Sequence, residues 1–113
     1  MTTPADELRT AAETLRVAAT AANAKRPAPW TPGAAGSVLS PREGGIDYVT
    51  GYTINSGPQI ATYIALMHPD VGHAVAQWLD HEAYRLSIAA PGWKHEADPY
   101  ALAVARALNG DAR

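Results

Sequence analysis

The chain has 113 residues, a net charge of -2 and a pI near 6.0, which suits one domain spanning 1-113 with one hydrophobic core. Its basic residues are Lys25, Lys94 and scattered arginines, so the clustered cations that displace phosphate counterions are missing and nucleic acid is not an expected partner. The absence of cysteine excludes a disulfide framework and a thiolate metal site, and with no signal-peptide pattern and no apolar run of the roughly 20 residues a membrane span needs, a cytoplasmic protein without membrane contact is expected. Apolar residues make up 47% of the chain, but many are alanine and none is Phe. The core should therefore rest on Leu, Ile, Val, Tyr and Trp, with alanine allowing close helix contacts.

The first predicted element is a helix over 4-23. Thr3 can cap it, Pro4 suits its first position, and Asp6 and Glu7 sit at its positive end. Leu8, Ala12, Leu15, Ala19 and Ala22 form its apolar stripe. Arg9, Glu13 and Arg16 lie beside that stripe as helix-neighbour pairs, Arg9–Glu13 and Glu13–Arg16. A Pro-rich loop over 25-36 follows, in which Pro27, Pro29 and Pro32 argue against regular structure. Trp30 sits in it, either anchoring the loop to the core or offering a stacking platform to a ligand.

A β-hairpin region is expected over 37-54. Ser37–Ser40 is a short strand candidate, Pro41–Gly45 a turn, and Ile46–Ile54 the best strand. Ile46, Tyr48, Thr50, Tyr52 and Ile54 share one of its faces, expected to be the core side. Ser56 and Gln59 suggest a capping box for a helix over 58-67, with Ile60, Tyr63, Ile64 and Met67 on one face. The His68-Pro69 step breaks it, and a helix over 69-89 follows with the stripe Val71, Val75, Trp78, Leu79, Glu82 or Ala83, and Leu86. After a loop, Asp98-Pro99 starts a helix over 99-109. It carries Tyr100, Val104, Ala107 and Leu108, and Asn109-Gly110 can close it.

Few constellations point to chemistry. His73, Gln77 and His81 recur at i, i+4 and i+8, which separates the two imidazoles by roughly 12 Å along the axis, too far to share an ion. A polar, solvated face flanked by Asp70 and Asp80 is the plainer reading, and no metal is expected. His81 and Glu82 diverge around their helix. His95 and Glu96 lie in a loop with Trp93, Lys94 and Asp98, the densest polar cluster of the chain. That loop is read as a helix connection, a binding loop or an acid–base pair, and no nucleophile motif accompanies it. Gly33–Gly36 lacks the Lys-Ser/Thr of a phosphate loop. Tyr48 and Tyr52, with Tyr63 a candidate neighbour, form either core or an aromatic surface.

Two segments carry a resemblance. The helix Leu8–Ala22 followed by Pro27-Ala-Pro-Trp30, and the stretch Ala61-Thr-Tyr-Ile-Ala65 with His68–Leu79, resemble small proteins of actinobacteria and their phages. The pattern is also similar to the phage Ead/Ea22-like proteins. Ala28 stands where those proteins more usually have glycine. The resemblance implies a phage or prophage accessory protein and transfers no catalytic residue.

The chain is therefore expected to be α+β, with about four helices packed with a small antiparallel β-hairpin or sheet. Trp30, Tyr48, Tyr52, Ile64, Trp78, Leu79 and Leu86 are the expected core. The expected function is a non-enzymatic protein-interaction module that binds a host protein or its own copies as a homo-oligomer, with no cofactor and no catalytic residue. The alternative is a small-ligand binder, for instance of a nucleotide signal, using Trp30, Trp93, Lys94 and His95. A third reading is an enzyme using His95 and Glu96.

Overall fold

The computed structural model describes residues 2–34, 37–50, 57–88 and 96–110. Over them the chain is α+β, with helices α1 (Pro4–Lys25), α2 (Gly57–Leu66), α3 (Pro69–Ser87) and α4 (Pro99–Leu108) and strands β1 (Thr31–Pro32), β2 (Val38–Arg42) and β3 (Gly45–Thr50). The strands form one antiparallel sheet in the order β1-β2-β3. No described helix is long and apolar enough to cross a membrane.

Local chemistry sets most boundaries. The Thr3 hydroxyl accepts the Asp6 N–H at 3.1 Å, and the Asp6 carboxylate accepts the Thr3 N–H at 3.3 Å, a reciprocal cap for α1. Hydrogen bonding by the Thr3 side chain, and then by the Thr3 N–H, lowers the Asp6 pKa. His68-Pro69 does separate α2 from α3, and the His68 carbonyl accepts the N–H groups of Val71 and Gly72 in the first turn of α3. Asp98 caps α4 by accepting the Tyr100 N–H at 2.8 Å, and Asn109 closes it. The capping box expected at Ser56 lies outside the described residues.

The Pro-rich loop departs from expectation. Thr31 and Pro32 pair with Leu39 and Val38, so this loop supplies a third strand. Proline is tolerated there because β1 is an edge strand, where one ladder donor can be absent. Between β2 and β3 the turn is tight, with Arg42 paired to Gly45. Gly44 takes a φ of 80° in that turn, a left-handed conformation that glycine adopts without steric cost.

Two compact units can be described, each by itself. The first comprises Met1–Val17 and Ala74–Arg113. Its buried cluster is made of Leu8, Ala11 and Ala12 from α1, Ala76, Leu79 and Ala83 from α3, and Ala101 and Ala105 from α4. Ion pairs tie its surface: Arg16 bridges Glu13 and Asp80, and Arg106 reaches Glu7 at 3.2 Å. Arg9 lies 3.7 Å from Asp6. The second unit is Ala18–His73, in which α2 packs on β1 and β2. Its cluster is Val38, Ala61 and Ala65, with Trp30, Val49 and Ile64 packed against it.

Several expected core residues lie elsewhere. Trp78 and Tyr48 are exposed, whereas Leu79 is buried and Trp30, Ile64 and Leu86 are half-buried. On β3, Ile46 and Tyr48 are exposed and Val49 meets the cluster, the reverse of the expected facing. In α4 the buried residues are Ala101 and Ala105, while Tyr100 and Leu108 are exposed. In α2 the inner side is Ala61, Ile64 and Ala65, and Ile60, Tyr63 and Met67 are exposed. In α2 and α4 the cause is size. Alanine fits where backbones approach closely, and the bulkier neighbours one position away are left outside. Tyr52, also expected in the core, lies outside the described residues.

Candidate functional site

α2 has the sequence Gly-Pro-Gln-Ile-Ala-Thr-Tyr-Ile-Ala-Leu and contains no charged residue. Its inner side meets Val38 of the sheet through Ala61 and Ala65. The outer side carries Ile60, Tyr63 and Leu66, continued by Met67 just past the helix end, and all four are at least half exposed, Tyr63 by 67% and Leu66 by 64%. Ile60, Tyr63 and Met67 stand three and then four residues apart, so they line up along one stripe. Gln59 and Thr62 are exposed on the same side of the helix, so the stripe is an apolar band on a mixed outer face.

The sheet beneath α2 is well supported. Trp30 donates its indole N–H to the Arg26 carbonyl at 2.8 Å and packs against the Val38 cluster, so it anchors its loop. Arg26 in turn donates to the Tyr48 carbonyl at 2.7 Å and lies 3.7 Å from the Asp47 carboxylate. Ser40 donates to the Pro27 carbonyl, and Asn23 accepts the Ala28 N–H at 2.9 Å. These bonds fix the segment that joins α1 to the sheet. They leave the Trp30 indole engaged with its own chain.

No family model, curated protein or solved structure matches this chain. The site's chemistry therefore rests on its own geometry.

A second feature lies in the first unit. An open groove of about 570 Å³ is lined by Thr3, Pro4, Ala5, Leu86, Glu96, Ala97 and Leu102. Its walls are mainly apolar, and Thr3 and Glu96 supply the polar edge. Nearby, the Glu82 carboxylate is buried and held by three bonds: Arg85 Nε at 3.0 Å, Arg85 Nη2 at 2.6 Å and the Asp98 N–H at 2.7 Å. Arg85 also donates to the Glu96 carbonyl at 3.0 Å. The Arg85 guanidinium lowers the Glu82 pKa against the opposing effect of burial, with the Asp98 N–H assisting. This arrangement fastens the start of α4 to α3. The stripe on α3 gave Glu82 and Ala83 as alternatives, and both are buried.

Of the residues proposed from sequence, Trp30 is placed as an anchor, while Trp93, Lys94 and His95 lie outside the described residues. The structure does not join Trp30 to a pocket that it describes. His73 is half-buried and His81 exposed. Among the described residues no three His, Cys, Asp or Glu side chains gather as a metal-binding group. The sequence shows Ile60, Tyr63, Ile64 and Met67 on one face of α2; the structure turns Ile64 toward the Val38 cluster and leaves the other three exposed. The lack of any charge in α2 was the available sign that the outer side is not an ordinary charged face.

Proposed function

We propose that this chain is a non-enzymatic protein-interaction module whose docking face is the outer side of α2. The observation that supports it is the exposed stripe Ile60, Tyr63 and Met67, widened by Leu66, on a helix without charge. Helices that dock in this way present apolar side chains at three- and four-residue spacing to a partner. Aromatic residues such as Tyr63 supply large contact area with few rotors to immobilise. The setting, a cytoplasmic phage or prophage accessory role, is supported by the resemblance of Ala61–Ala65 and His68–Leu79 to such proteins.

One observation favours the alternative of a small-ligand binder, namely the groove bounded by Pro4, Leu86 and Leu102. Apolar walls with a few polar groups are what small-molecule sites present. Native mass spectrometry of the protein isolated from its host's lysate tests the two. A protein assembly that Tyr63→Lys abolishes supports the interaction module. A retained small molecule on a monomeric chain, unaffected by Tyr63→Lys, moves the assignment to the groove.

A further inference from the structure

We propose that Asn109 is a site of spontaneous deamidation, restrained by the fold and released when the end of α4 lifts from α1, and that its product weakens the contact it came from. Of the asparagines Asn23, Asn55 and Asn109, only Asn109 precedes a glycine. Glycine carries no side chain to shield its own nitrogen, so the Gly110 nitrogen can attack the Asn109 side-chain carbonyl carbon. In that step the bond from the Gly110 nitrogen to Cγ forms and the Cγ–Nδ2 bond breaks. Ammonia leaves, its third hydrogen taken from the Gly110 N–H. Water then opens the five-membered imide at one carbonyl or the other, leaving aspartate or isoaspartate. Water is the only co-reactant, and nothing is oxidised or reduced.

The fold holds each participant away from that step. Asn109 has φ -80° and ψ -2°, a helical backbone that keeps its Cβ and the Gly110 nitrogen out of the near-eclipsed alignment the ring requires. Its Nδ2, the leaving group, donates to the Glu7 carbonyl at 3.1 Å. The Gly110 N–H donates to the Ala107 carbonyl at 3.3 Å, and the Asn109 N–H to the Ala105 carbonyl at 2.9 Å. Arg106 ties the same end of α4 to Glu7 of α1 at 3.2 Å. These contacts lie at a helix end, where local opening is easiest. Opening and modification therefore depend on one set of bonds, and the product cannot restore them. A carboxylate at position 109 has no hydrogen to offer the Glu7 carbonyl. It also lies at the negative end of the α4 dipole and adds a negative charge near Glu7. Isoaspartate further lengthens the main chain by a carbon, which displaces the Gly110 N–H from Ala107. A transient opening is thus converted into a lasting one.

Peptide mapping by mass spectrometry of the purified chain, incubated at mildly alkaline pH, tests this. In enough urea to unfold the chain, Asn109 should deamidate faster than in the native state by about tenfold or more, because only the open fraction reacts. Arg106→Gln loosens the end of α4 without touching the reacting atoms. It should raise the native rate several-fold and leave the rate in urea equal to that of the wild type. Gly110→Ala, compared in urea so that its own folding does not enter, should slow the reaction. Asn109→Asp should unfold at a lower urea concentration than the wild type. Equal rates with and without urea overturn the proposal, as does a native rate that Arg106→Gln leaves unchanged. An Asn109→Asp midpoint equal to the wild-type value also overturns it.

Discussion

Glu82 shows how one side chain can hold a junction. Its buried carboxylate accepts from two N–H groups along one edge of the Arg85 guanidinium and from the Asp98 backbone. Removing the charge leaves the Asp98 N–H and the guanidinium with a weaker acceptor, so Glu82→Gln should cost about 1–3 kcal/mol, read as a shift in the urea midpoint. The pH dependence has a definite sign. The folded-state pKa lies below the ordinary value near 4.5, so this contribution is complete above that value. It is lost as pH falls through the lower, folded-state pKa. The gap in urea midpoint between wild type and Glu82→Gln should therefore be constant at neutral pH and narrow below about pH 4.5. A gap that stays constant down to pH 2 would refute this assignment. Asp98 makes a separate contribution at the same place. Asp98→Ala removes the cap of α4 and should destabilise by about 1 kcal/mol, visible as a lower thermal midpoint.

At the scale of elements, alanine decides which side of a helix is inside. Ala61 and Ala65 of α2 touch Val38, and Ala101 and Ala105 of α4 are buried beside Leu8 and Leu79. Lengthening one of them should overpack a close contact, so Ala61→Leu is expected to cost about 1–3 kcal/mol. Tyr63→Ser, on the opposite side of the same helix, should change monomer stability by no more than about 0.5 kcal/mol. Chemical denaturation of both variants at low concentration checks the contrast, and equal effects would mean that the two sides are misassigned. The same point explains what was legible in the sequence. Caps and breaks were readable because Thr3, Asp98 and His68-Pro69 act through bonds to their own neighbouring backbone. The turn at Gly44 was readable for the same reason, and the apolar stripe of α1 from its helical spacing. Facing was not, because an alanine and a bulky neighbour one residue away give similar periodic patterns, and the separation between backbones settles which one enters. β1 was missed because its pairing depends on Leu39 and Val38, not on anything local to Pro32. The candidate stripe was visible as Ile60, Tyr63 and Met67, but the sequence does not say whether another element of the same chain covers it.

Among the described residues, burial of large side chains is concentrated in a few: Leu8 and Leu79 are the largest fully buried ones of the first unit and Val38 of the second. Leu79→Ala should cost about 2–5 kcal/mol by leaving a cavity among alanines that cannot close it, measured by thermal or urea unfolding. A loss below 1 kcal/mol would show that the surrounding helices collapse into the space. Chain length alone does not reveal how buried side chains are partitioned, and among the described residues they form two clusters.

Arg26 bears on what kind of assembly this chain can make. The outer edge of a sheet is a template that can be extended without end, one chain after another. On β3 the Tyr48 carbonyl is taken by Arg26 and its N–H by the Asp47 side chain. On the opposite edge, β1 is two residues long and one of them is Pro32. A filament would need those groups free. At Tyr48 and at Pro32, therefore, an added strand would find no free N–H to pair with.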